Sequence, residues 1–149
     1  LYKQVNAGKT IIRLDLKTDC DSTCFAEMVK AADVLLESYR PGVMSRLGFD
    51  RERLRSLNPR LIHCAISGFG QDGPLANRPG FDQIAQGMGG LMSITGEPGQ
   101  GPMRVGIPIA DLCAGLFAAQ AVFIALLERV KSGKASEPTP HIWKPSTLD

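Results

Sequence analysis

The spacing of hydrophobic and polar positions changes period several times along the chain. Ile11 to Leu16 alternates and carries β-branched residues, which predicts a strand. The preceding Leu1 to Asn6 carries no start signal and reads as an entry in mid-domain, running almost directly into that strand. Ser22 or Thr23 is placed to cap a helix through about Ala32, with Phe25, Met28 and Val29 on one face. Asp33 to Glu37 is a second, short buried strand, broken by Pro41-Gly42, after which a turn of helix reaches Leu47. Asp50 caps a further helix, Arg51 to Leu57, with Leu54 and Leu57 facing in, and Asn58-Pro59 stops it. Leu61 to Ser67 is apolar enough to be a central strand.

Strands alternating with helices imply an α/β fold: a Rossmann-like parallel sheet with right-handed crossovers and flanking helices. Ligands of such sheets bind beyond the carboxyl ends of the strands. Three segments are therefore expected to meet at one crevice: Lys17-Thr18, Ser38-Tyr39-Arg40, and Gly68 to Gly73. Arg40 and Arg46 suit phosphate oxygens through the planar guanidinium fork, or serve ordinary surface ion pairs. Gly68-Phe-Gly-Gln-Asp-Gly73 has dinucleotide-loop spacing, but Pro74 and Asn77-Arg78-Pro79 follow where a helix should begin. Those glycines read instead as a tight loop with close backbone approach. Gly80-Phe81-Asp82-Gln83 opens a helix to about Gly89, with Asp82 as its own cap.

The most apolar stretch runs from Ile107 to Leu127, and Asp111 stands at its start as the one acid between Glu97 and Glu128. That stretch is long enough to raise a membrane span, yet Pro108, Asp111, Gln120 and its many Ala and Gly residues favour a core helix of a soluble protein. A carboxylate at the rim of such a helix is costly unless it is used or paired. It can be a nucleophile, a base or a cap.

Composition narrows the classes. The 149 residues suit one domain, and 44% hydrophobic content supports a core. A net charge of +2 gives no case for broad nucleic-acid binding. Cys20, Cys24, Cys64 and Cys113 lack metal-site spacing and read as reduced thiols of an intracellular protein, so no metal is expected. His63, within a strand, reads as a packing histidine, and His141 has no evident partner. The polar, proline-bearing segment 134–149 reads as a flexible or divergent tail after a first unit at 1–133.

Several strings occur in a telling order: Leu14-Asp-Leu-Lys-Thr18, Ala32 to Met44, Asn58 to Ile62, Ser67 to Pro74, Arg78-Pro-Gly-Phe-Asp82, Gly90 to Gly96, and Val105 to Asp111. As a set they resemble the class III coenzyme A transferases, over about residues 6–133. The resemblance implies part of the large domain of such an enzyme, whose members are far longer than this chain. It implies Asp111 as the nucleophile, forming an aspartyl anhydride and then an aspartyl-CoA thioester, with acyl-CoA and a small carboxylic acid as substrates and no tightly bound cofactor. A carboxylate can serve as a covalent nucleophile, and backbone dipoles at a helix start favour its ionised form. The family's CoA contacts map onto Leu14, Asp15, Leu16 and Lys17, onto Ser38, Tyr39, Arg40 and Arg46, and onto Gly80, Phe81, Asp82, Gln83, Ile84 and Ala85. The family more often has Asn where Ser38 stands. A homodimer is implied, in the cytoplasm or, in a eukaryote, the mitochondrial matrix, with neither membrane nor nucleic acid as partner. The related α-methylacyl-CoA racemases use the equivalent aspartate as an acid/base with a histidine where Phe81 stands. Phenylalanine cannot move a proton, so the residues argue against racemisation. A non-catalytic CoA-binding fragment is the remaining alternative.

Overall fold

The computed structural model describes residues 2–133, and the expected tail at 134–149 lies outside the described residues. A short helix α1 (Tyr2–Val5) leads through an irregular segment to α2 (Asp19–Ala31), β1 (Val34–Glu37), α3 (Val43–Arg46), α4 (Arg51–Leu57) and β2 (Ile62–Ala65). Then follow α5 (Asp82–Met88), a 3-10 turn at Leu91–Ile94, and the long α6 (Ile109–Ser132).

β1 and β2 pair in parallel, Val34 opposite Ile62 and Glu37 opposite Ala65, and α3 and α4 form the crossover between them. This is the α/β arrangement that the alternating pattern predicts. Ile62 and Cys64 are fully buried in β2. Burial, and then the charge on Glu37, push the Cys64 thiol pKa upward, which suits an inert packing thiol. The core lies between the sheet and α2 and α4. Val29, Met44, Phe49, Leu54 and Leu61 form it, with Phe25 edge-on to Phe49 at 4.7 Å between ring centres. Leu54 and Leu57 face in as the helical period requires, whereas Met28 is 42% exposed and stands off the apolar face.

Four expectations are corrected. Ile11 to Leu16 is not a strand: among the described residues no strand lies beside it to take its backbone groups, and Ile11 and Ile12 are 65% and 55% exposed. α2 begins at a Thr18 cap, not at Ser22 or Thr23, because the Thr18 hydroxyl accepts from Asp21 N at 3.4 Å. Asp82 does not cap its own helix, whose cap residue is Phe81; its carboxylate caps α6 instead. α6 is not a buried core helix among the described residues. One face is buried through Ala114, Ala118, Ala125 and Arg129, while Leu116, Phe123, Leu127 and Val130 on the other are more than 60% exposed.

Candidate active site

Beyond the carboxyl ends of β1 and β2 lies a cavity of about 470 Å³. Among the described residues, four chain segments wall it. The loop after β1 contributes Ser38, Tyr39, Arg40 and Pro41, and the loop after β2 contributes Ile66, Ser67 and Gly68. The approach to α5 contributes Arg78, Pro79, Gly80 and Phe81, and the first turns of α6 contribute Asp111, Ala114 and Gly115.

Local hydrogen bonds explain why these segments converge. The Glu37 carboxylate, at the end of β1, accepts from Tyr39 N at 2.6 Å and turns the chain into the first loop. Gly42 then closes the Pro41-Gly42 turn at φ 78°, a left-handed conformation that favours glycine. The second and third walls are locked by contact between two glycines. A Cβ on Gly68 would fall 2.3 Å from the Gly80 Cα, so only glycine lets these backbones meet. The close approach expected of the Gly68 loop is thus real, with Gly80 as the partner.

The α6 wall is set by a carboxylate relay. Asp82 Oδ1 accepts from Ala110 N at 2.8 Å and from Asp111 N at 3.4 Å, satisfying amides that no helical carbonyl can reach. Its other oxygen accepts from Gln86 Nε2 at 2.6 Å. Gln86 is 2% exposed, and its Oε1 accepts from Val105 N at 2.9 Å. The pair ties α5 to the segment entering α6 and so fixes where Asp111 sits. Asp111 is an exposed residue, yet the partial desolvation of its carboxyl, and then the negative charge of Asp82, raise its pKa above the ordinary value of 3.8.

The sequence-predicted residues divide into two groups. Asp111, Ser38, Tyr39, Arg40, Gly80 and Phe81 are brought together at the cavity, and Asp82 stands directly behind Asp111. Leu14, Asp15, Leu16, Lys17, Arg46, Gln83, Ile84 and Ala85 do not line it. Asp15 and Lys17 instead build the entry to α2: Lys17 N donates to Asp15 Oδ1 at 3.1 Å, and Asp15 N donates to Asp21 Oδ2 at 2.8 Å. Lys17-Thr18 therefore does not join the crevice, because the strand expected to deliver it does not form. Arg46 lies beside Gly42, and Ala85 lines a separate 240 Å³ hollow with Gln86, Cys113 and Phe117. Gly70 and Gly73 of the glycine loop also stay outside the cavity lining. Sequence reasoning missed Ser67, Arg78 and Gln86 as site residues. Arg78 stood next to the singled-out Gly80, but a buried glutamine four residues after an aspartate has no distinguishing signal in one sequence.

Comparison with known proteins places the chain in a family. Residues 1–137 match the family model described as CoA-transferase family III. The acetyl-CoA:oxalate CoA-transferase of Acetobacter aceti is 50% identical over 136 residues, which span 91% of this chain and 35% of that protein. The succinate–glutarate CoA-transferase of Agrobacterium fabrum is 44% identical, over 89% of this chain and 33% of its own length. Among solved structures, a CaiB/BaiF family protein from Brucella suis superposes with a TM-score of 0.88 at 38% identity, over 91% of this chain and 36% of that one. The chain spans about a third of the length of the curated relatives it matches.

Proposed function

Because the chain belongs to CoA-transferase family III, we propose that Asp111 is the nucleophile in a transfer of coenzyme A from an acyl-CoA donor to a carboxylic acid. The Asp111 carboxylate attacks the thioester carbonyl, a C–O bond forms, and the C–S bond breaks to release CoA thiolate. The thiolate attacks the aspartyl carbonyl of the mixed anhydride, releasing the donor acid and leaving an aspartyl-CoA thioester. The acceptor carboxylate repeats the two exchanges in reverse, regenerating Asp111.

The observation that carries this reading is the composition of the cavity wall. Among the described residues lining it, Asp111 is the one acid; two arginines accompany it, and no histidine does. A racemase-type site needs a second proton carrier, and Phe81 cannot be one. Arg40 and Arg78 attract anionic substrates, in keeping with CoA phosphates and with a dicarboxylic acceptor. Relatives named for oxalate, succinate and glutarate support that acceptor class. Leu14 to Lys17, Arg46 and Gln83 to Ala85 are assigned to the outer course of the CoA chain, beyond the reacting end. We further read the whole protein as a homodimeric soluble enzyme of the cytoplasm or mitochondrial matrix, without a tightly bound cofactor.

The test is CoA transfer from labelled acyl-CoA to a panel of mono- and dicarboxylic acids. Asp111→Ala should lower transfer by about 10³-fold or more. Hydroxylamine added during turnover should convert Asp111 to the hydroxamate, detectable by peptide mass. Undiminished transfer by the alanine variant would sink the assignment. Loss of α-proton stereochemistry without transfer would identify a racemase, and CoA binding without either activity a non-catalytic fragment.

A further inference from the structure

We propose that the Ser67 hydroxyl donates a hydrogen bond to the acyl oxygen of the bound thioester, a role that rests on Asp111 being the nucleophile. Ser67 lies two residues beyond the carboxyl end of β2 and lines the same cavity as Asp111. The residue is 6% exposed, yet among the described residues its Oγ has no hydrogen-bond partner. A buried hydroxyl left unpaired is costly, and such groups in native proteins call for an explanation.

Gly80, Phe81, Ala114 and Gly115 have no side-chain acceptors, Arg40 and Arg78 offer donors only, and Ser38, Tyr39 and Asp111, which could accept, do not hydrogen-bond the Ser67 hydroxyl. The hydroxyl also cannot be carried away by loop movement without breaking the Gly68–Gly80 backbone contact beside it. A buried, unpaired donor lining the same cavity as a carboxylate nucleophile matches what an acyl-transfer site requires: a partner for charge that appears only during reaction. As an Asp111 oxygen bonds to the thioester carbon, the carbonyl π pair moves onto oxygen, and Ser67 O–H hydrogen-bonds that oxygen. The pair then returns, the C–S bond breaks, and the thiolate leaves with its electrons. Ser67 keeps its proton throughout, so it acts as an oxyanion donor and not as an acid.

The experiment compares S67A and S67T with the parent protein and with D111A. S67A should lower kcat for transfer by about 10- to 100-fold while leaving the Kd for free CoA, which has no acyl group, within about twofold. Its Tm should be unchanged or higher, because an unpaired buried hydroxyl has been removed. S67T, which keeps the hydroxyl, should recover part of the rate. Parental transfer by S67A, with D111A inactive, overturns the role of Ser67 alone. Loss of rate accompanied by a fall in Tm and no recovery in S67T also overturns it, in favour of a packing role. If D111A transfers at the parental rate, or the parent does not transfer at all, the proposed function fails and this role fails with it.

Discussion

Two carboxylates meet at the first turn of α6, Asp111 from that helix and Asp82 from the start of α5. Asp82 is committed to the amides of Ala110 and Asp111 and to Gln86, so its charge stays fixed behind Asp111. Partial desolvation of its carboxyl raises the Asp111 pKa first, and that charge raises it further. Nucleophilic attack needs the ionised form, so the acid limb of kcat/KM should lie above the ordinary aspartate range. Asp82→Asn keeps an oxygen for the two amides but removes the charge; the acid limb of the rate profile should then move to lower pH. Asp82→Ala removes the cap as well and should cost about 1 kcal/mol of stability in denaturant titration. Stability carries the opposite sign to activity. A carboxyl whose pKa is raised by folding favours the fold while protonated, below the unfolded value, and loses that contribution as pH rises through the raised value. Asp111→Asn should therefore have a higher Tm than the parent at pH 7, and the difference should close below about pH 4. A constant difference across that range would show that the charge is not what destabilises.

Helices and strands here are held by side chains that reach from one element to the backbone ends of another. Asn58 Nδ2 donates to the carbonyls of Val29 and Ala32 at 3.0 and 2.8 Å, and its Oδ1 accepts from Arg60 N at 2.9 Å. One residue thus closes the end of α2 while ending α4. Asn58→Ala strands those carbonyls and should lower stability by about 1–2 kcal/mol, read from the urea midpoint. Arg129 performs the same service for α6. Its guanidinium, on a residue 8% exposed, reaches Arg60 O at 2.8 Å and Asp33 Oδ1 at 2.6 Å, pinning the helix to the entrances of both strands. These devices mark the limit of what local pattern reveals. Asn58-Pro59 was readable as a helix stop, because proline forbids continuation, but its bonds span 26 to 29 residues and no period encodes them. Asp50 capping Arg53 N was readable because cap and helix are adjacent in sequence. Thr18, Asp82 and Gln86 were misread or missed because several polar residues stand near each helix start and the fold decides which one serves. The parallel pairing of β1 and β2, and the meeting of Ser38 to Arg40 with Asp111, followed from alternation and from where parallel sheets bind ligands. The supposed strand at Ile11 to Leu16 failed for a related reason: alternation describes a surface that a sheet accepts, and does not supply the neighbour.

At the scale of the molecule the unusual feature is α6, which carries apolar residues on opposite faces. At roughly 100° per residue, Ala114, Ala118, Ala125 and Arg129 share the face turned to the sheet, and Asp111 falls at its edge, towards the cavity. Leu112, Leu116, Phe123, Leu127 and Val130 share the other face, and each is at least 51% exposed. This two-sidedness gives the helix a mean hydropathy of 2.0 over its most apolar window, enough in length and composition to cross a membrane. Lipid and protein make different demands on the inner face. A spanning helix gains nothing from Arg129 and Asp111 on one side, whereas a helix packed between two protein layers uses the first as an anchor and the second as a reactive group. We therefore read the outer face as covered by protein, which fits a chain spanning 35% of the length of a relative that is 50% identical to it. An uncovered aromatic residue is nearly neutral to truncation, within about 0.5 kcal/mol, while a covered one costs about 3–5 kcal/mol. Phe123→Ala, made in the whole protein and followed by denaturant unfolding without detergent, should fall in the second range although Phe123 is 66% exposed among the described residues. A cost below 0.5 kcal/mol, or a protein recovered only in detergent-solubilised membranes, would refute the protein-covered reading.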